Sequence, residues 1–174
     1  MRNNWREKWR LFWLHSIPFW TTLVLIFIFL MPVNSVKWGY FRPNIGLICV
    51  YYWSLRRGYL FGYFSAFLLG LLIDVYSSSP LGINILLLLI TVAISSWLAH
   101  YFQSSTFGLG WLIFGLTIIG ITLIKWLALM VYFGQIISIK EVLMNYLSTV
   151  LFYPLIVSIN VWVQRFLPQE RINE

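Results

Sequence analysis

Residues 107–133 read FGLGWLIFGLTIIGITLIKWLALMVYF, a run broken by a single charge, Lys125. About 20 apolar residues suffice for a helix to cross the hydrocarbon core of a bilayer. The whole chain shares this character. Its 174 residues are 60% hydrophobic and 10% charged, with a mean hydropathy of +0.82. A soluble domain carries roughly 25% charged residues, and one core of this size could not hide so much apolar surface. The composition therefore specifies an integral membrane protein of one domain.

The same length criterion places a first span at about Ile17–Val36, entered through Pro18, and others at about 83–102, 107–133 and 142–163. Between the first span and the one at 83–102 lie two short apolar runs, 44–55 and 60–73, joined at Arg56-Arg57-Gly58. A double arginine in mid-bilayer would cost several kcal/mol, so two short helices with an interfacial turn are expected rather than one broken element. Six spans result, the last containing Pro154, which should kink it. The basic stretch before the first span also fits a signal peptide. The Met-Pro-Val-Asn-Ser that follows lacks a small-x-small cleavage signal, which favours a retained span.

The net charge of +7 is distributed around the spans. With the N-terminus inside, Arg2, Arg6, Lys8, Arg10, Arg56, Arg57, Arg165 and Arg171 are cytoplasmic, and only Lys37, Arg42 and Lys140 lie outside. The positive-inside bias then sets both termini in the cytoplasm. Cations at headgroup depth serve anionic membrane lipids, so nucleic acid is not an expected partner. At helical spacing Trp5, Trp9, Phe12 and Trp13 share one arc, which reads as an interfacial helix or else a basic tail. The expected organisation is a basic aromatic segment at 1–16, a six-helix domain at 17–167 and a short tail at 168–174.

Three features stand out within the spans. Gly58, Gly62, Ala66 and Gly70 recur every fourth residue, and Asp74 continues the row. Small residues at that spacing let another helix approach closely, either within this protein or on a partner. Asp74 precedes the turn sequence Ser77-Ser78-Ser79-Pro80-Leu81-Gly82. Its carboxylate could tie that turn together through backbone N–H groups. Lys125 lies inside the fifth span, where it could snorkel outward or pair with Asp74.

Catalytic constellations are missing from the sequence. It has no Gly-x-Ser-x-Gly elbow, no His-Glu-x-x-His and no phosphate loop with its lysine. Cys49 is the only cysteine, and His15 and His100 lie in separate segments with no ligand partners at metal-binding spacing. Neither an enzyme nor a cofactor or metal site is expected.

Four blocks then carry a resemblance. Arg42-Pro43-Asn44-Ile45, Tyr52-Trp53-Ser54-Leu55-Arg56-Arg57, Gly70-Leu71-Leu72-Ile73-Asp74 and Ser79-Pro80-Leu81-Gly82 occur in an order and spacing that strongly resemble the bacterial rod shape-determining MreD family. Arg42, Pro43, Trp53, Asp74, Pro80 and Gly82 are the residues that match its motif. Asn44 stands where that family usually has an acidic residue, and the Trp-rich N-terminus is not part of the pattern. The resemblance implies an inner-membrane bundle similar to the six-helix substrate-binding subunits of energy-coupling-factor transporters. It also implies a non-catalytic scaffold of cell elongation and lateral peptidoglycan synthesis. The partners it implies are MreC and, through it, MreB and the RodA–penicillin-binding-protein synthase.

The alternative is a small-solute-binding subunit of a membrane transporter. Such a site should gather polar groups at membrane depth. Asn84, Thr91, Ser95, Ser96, Asn145, Ser148 and Asn160 are available, but along the chain they are scattered without focus. On the sequence the scaffold is the better reading.

Overall fold

A computed structural model describes residues 5–30, 43–77, 79–102, 106–136 and 138–165, with side chains of the first helix described over 16–29. Six helices and no strand occur among them: α1 Trp5–Leu30, α2 Ile45–Arg57, α3 Tyr63–Tyr76, α4 Ile83–Phe102, α5 Phe107–Phe133 and α6 Ile139–Gln164. Helices α4, α5 and α6 are each long and apolar enough to cross a membrane. The protein is thus an all-α membrane bundle. Helix α1 runs unbroken through Pro18 and so crosses the expected boundary near residue 17. The aromatic arc of residues 5–13, the cations Arg2, Lys37, Arg42 and Arg171, and the tail at 168–174 lie outside what the structure describes.

The two short apolar runs are separate helices. Helix α2 stops at Gly58, Leu60 N–H closes on the Arg57 carbonyl at 2.8 Å, and Gly62 is the extended residue that starts α3. Every residue of α2 from Ile45 to Leu55 is buried. At 1.5 Å per residue α2 is roughly 20 Å long, short of a roughly 30 Å hydrocarbon core. It does not need that length, because α1, α3, α4 and α6 all pack against it. Full enclosure also explains its composition. Cys49, Tyr51, Tyr52, Trp53 and Ser54 face protein rather than lipid, and Tyr51 packs edge-on against Phe114 and Tyr153.

The row of small residues is not one groove. Gly58 and Gly62 belong to the turn between α2 and α3, so only Ala66 and Gly70 lie along α3. That half of the row is spent inside the protein, where α3 and α4 form the most extensive helix pair. Ala66 is fully buried, and a Cβ placed on Gly70 would sit 2.5 Å from the Ile85 Cα of α4. A Cβ on Gly62 would meet nothing within 4 Å. Four-residue spacing makes a face only while the helix continues, and here a turn intervenes.

Helix α6 shows how the bundle absorbs a proline. Pro154 has no N–H to give the Val150 carbonyl, one turn before it. In lipid an unsatisfied carbonyl is costly. The indole Nε1–H of Trp111 on α5 donates to that carbonyl at 3.0 Å, so the defect in one helix becomes a tie between two.

Two outcomes follow for stability. Gly70→Leu must displace the Ile85 backbone and is expected to cost at least about 3 kcal/mol in equilibrium unfolding in detergent, at the upper end for overpacking, whereas Gly62→Ala stays within about 1 kcal/mol. Trp111→Phe keeps a large ring but removes the N–H, and should lower stability by about 1 kcal/mol, the scale of an interhelical hydrogen bond in lipid. Adding Pro154→Ala, which restores the missing donor, should recover that loss.

Candidate functional site

Asp74 is buried at the last turn of α3, 1% exposed, and its carboxylate is closed by the turn that follows. Oδ1 accepts from Ser79 Oγ at 2.9 Å, from the Asn84 backbone N–H at 3.1 Å and from Asn84 Nδ2 at 2.8 Å. Oδ2 accepts from the Gly82 N–H at 2.8 Å. Asn84 Nδ2 also reaches Ser79 Oγ at 3.0 Å, so the three side chains form a closed triangle. Two of these donors belong to the first turn of α4, whose N-terminal amides and dipole favour a negative charge. Gly82 reaches its place with φ +103°, a conformation that suits glycine. The Pro80 carbonyl accepts from Ile83 N–H at 3.3 Å and tightens the same turn.

Asn44 performs a parallel service for α2. Its Oδ1 accepts from Leu47 N–H at 3.4 Å, and its own N–H donates to Thr149 Oγ1 on α6 at 3.0 Å. The central helix is therefore capped and held to α6 at the same end of the bundle.

Between these two caps lies a cavity of about 320 Å³. Its walls come from Ile26 and Phe29 of α1, Pro43–Gly46 at the start of α2, Ile73 and Ser77 at the end of α3, and Ser79, Ile83 and Asn84 around the start of α4. Lys125 and Leu129 of α5 and Asn145 of α6 complete it. Odd-numbered helices contribute their C-terminal parts and even-numbered ones their N-terminal parts, so consecutive helices alternate in direction. A second, smaller crevice of about 170 Å³ continues between α5 and α6, lined by Thr122, Trp126, Glu141 and Val142 and sharing Lys125, Leu129 and Asn145 with the first.

Lys125 is half-buried and lies within Coulombic reach of Asp74. The hydrogen bonds on the Asp74 carboxylate come from Ser79, Gly82 and Asn84, and none from Lys125. Lys125 lines the cavity and Asp74 does not, although its partners Ser79 and Asn84 do, and no direct bond joins the two. The physical reason is that four donors of the turn already saturate the carboxylate.

The other residues singled out in the sequence are dispersed. Arg56 and Arg57 form the last turn of α2, and Arg57 Nη1 donates to Tyr59 OH at 2.7 Å. They sit with Gly58 and Gly62 at the opposite end of α2 from the cavity. Trp53 is fully enclosed in the core, while Pro43 lines the cavity. Arg42 lies outside the described residues. Cys49 is free and buried, and accepts a long contact of 3.6 Å from Asn160 Nδ2. Among the described residues no group of three or more His, Cys, Asp or Glu could hold a metal. Asn84 and Asn145, scattered in sequence, share one cavity with Asn44 and Lys125. Local pattern offered no signal for this, because the four come from four helices.

The cap network makes a direct prediction. Asp74→Ala abandons buried donors at roughly 1–3 kcal/mol each, so unfolding in detergent should show a loss of at least about 2 kcal/mol. Asp74→Asn keeps one acceptor oxygen and should lose clearly less. Equal losses would mean that the charge itself, rather than the hydrogen bonds, holds the turn.

Comparison with known proteins agrees with the motif blocks that build this end of the bundle. The family model described as rod shape-determining protein MreD matches residues 9–160, which includes all four blocks, helices α2 to α5 whole and most of α1 and α6. No curated protein and no solved structure matches the chain. The likeness to energy-coupling-factor transporter subunits thus rests on the family resemblance alone. The family is one of structural shape-determining proteins and is not known for enzymatic activity. With α4–α6 long enough to span, and with a match over most of its length, this inner-membrane chain belongs to the MreD family of rod shape-determining proteins.

Proposed function

We propose that this protein is a non-catalytic membrane scaffold that couples MreC, and through it MreB and the RodA–penicillin-binding-protein synthase, during lateral peptidoglycan synthesis. The observation that carries this reading is the family match over residues 9–160. The chemistry of the buried polar groups supports it. The one fully buried carboxylate among the described residues, Asp74, is occupied with capping a helix, and Lys125, within Coulombic reach of it, faces a cavity. Polar groups here hold helices in register, as a scaffold requires.

We further propose that all six helices span the inner membrane, with the cavity end outside and both termini in the cytoplasm. Support comes from the alternating helix directions together with the cation bias. Arg56, Arg57 and Arg165 then lie at the cytoplasmic end. The buried Ala66 and Gly70 are unavailable to a partner. Partner contacts therefore fall on outward faces such as that of α3, where Phe64 is 74% and Val75 66% exposed.

Depletion in the native host tests the role. Rounded cells, loss of MreC from complexes captured on the tagged protein, and unchanged solute uptake are expected. Normal cell shape with failed uptake would replace the scaffold by a transport subunit. Reporter fusions should place the residue 134–138 loop outside and the residue 58–62 turn inside.

A further inference from the structure

Lys125 stands about two helical turns before the end of α5, which puts its Cα roughly 12 Å below that end. A cation at such depth is expensive and normally finds a partner. Its ammonium carries three donors, yet no hydrogen bond or ion pair to it occurs among the described residues. Asp74 does not serve, because its oxygens are committed to Ser79, Gly82 and Asn84. Glu141 lines the neighbouring crevice but is exposed at the start of α6.

The opposite wall of the cavity has the same polarity. Asn44 gives its oxygen to the α2 cap, and its amide NH₂ donates to no described group. The first turn of α2 carries no acidic residue, so the positive end of that helix dipole also meets the cavity uncompensated. Donors and positive potential thus converge from two helices that are far apart in sequence. Ser77, Ser79, Asn84 and Asn145 add polar groups to the lining, of which Ser79 and Asn84 are already bonded to Asp74, and Ile26, Phe29, Ile83 and Leu129 give apolar walls. At about 320 Å³ the space is at the lower end of the roughly 300–1,000 Å³ range of small-molecule sites, enough for a head group but not for a whole lipid. The adjoining crevice between α5 and α6 extends this space past Trp126, Leu129 and Val142, with Thr122 and Glu141 beside them.

We propose that this cavity binds the phosphate head group of an anionic membrane lipid, with Lys125 as its counter-ion and Asn44 as a second donor. The site goes beyond the scaffold reading and stands or falls independently of it. A phosphate ester offers several charged acceptor oxygens and so the direct ionic hydrogen bond that the Lys125 ammonium does not make to Asp74. A free phosphate anion shares that chemistry but gains nothing from the apolar walls and the crevice.

The test uses the purified, delipidated full chain in detergent, titrated with phosphatidylglycerol, phosphatidylcholine or inorganic phosphate and read by native mass spectrometry. Phosphatidylglycerol should bind at least about tenfold more tightly than phosphatidylcholine, the scale of one charge-assisted hydrogen bond. Lys125→Gln should abolish that preference, while Lys140→Gln, an exposed cation near the same end, should keep it. Because a lysine within a span can also affect folding, Asn44→Asp provides a second variant. It retains a good helix cap and sets a negative charge on the wall, and it too should abolish the preference. Retention of the preference by folded Lys125→Gln or Asn44→Asp overturns the proposal. So does full competition by inorganic phosphate, which would mark a site for a free anion instead.

Discussion

A single buried carboxylate organises one end of this protein. Asp74 gathers Ser79, Gly82 and Asn84, and in doing so ends α3, reverses the chain and starts α4. Hydrocarbon offers no solvent to a charge or to the free amides of a helix start, so each must satisfy the other. The close approach of the two helices at Gly70 and Ile85 continues the same hairpin below the turn. Carboxylate and glycine act as one device, the first setting the register and the second allowing contact.

The hairpin in turn makes possible the enclosure of α2. A helix too short to span the bilayer by itself can persist only where protein replaces lipid around it, and α4 and α6 provide most of that cover. Enclosure tolerates tyrosines, a serine and a cysteine that would be unfavourable toward lipid. The bond between Trp111 and the Val150 carbonyl belongs to the same economy of backbone groups. These ties leave the outer faces of α3, α5 and α6 apolar and exposed, which suits both lipid and partner helices.

Three of the four motif blocks of the family resemblance concentrate at the cavity end. Pro43 and Asn44, the end of α3 and the turn to α4 all border the same cavity. These three blocks are short and unremarkable along the chain, but in space they build one end of the bundle, while Tyr52–Arg57 runs through the core to the other. Around that end the polar groups are of two kinds. Asp74, Ser79 and Asn84 satisfy one another, while Lys125 and the Asn44 amide point their chemistry at the space between helices.

How much of this was legible before the fold was known depends on the range of the physics involved. Hydrophobic length is a local property, so the helices at 83–102 and 107–133 could be read from consecutive residues, and so could the break at Gly58 between α2 and α3. The Ser77–Gly82 turn was equally local, being written in Pro80 and Gly82. The small-residue row misled, because periodicity along a chain presumes an uninterrupted helix and Gly62 begins a new one. Only the tertiary structure decided that Gly70 faces α4, that α2 is enclosed, and that Asn44, Asn84, Lys125 and Asn145 meet. Such meetings depend on how helices rotate and pack. In lipid, without a hydrophobic drive between helices, rotation follows close packing and hydrogen bonding rather than any amphipathic pattern visible in the sequence.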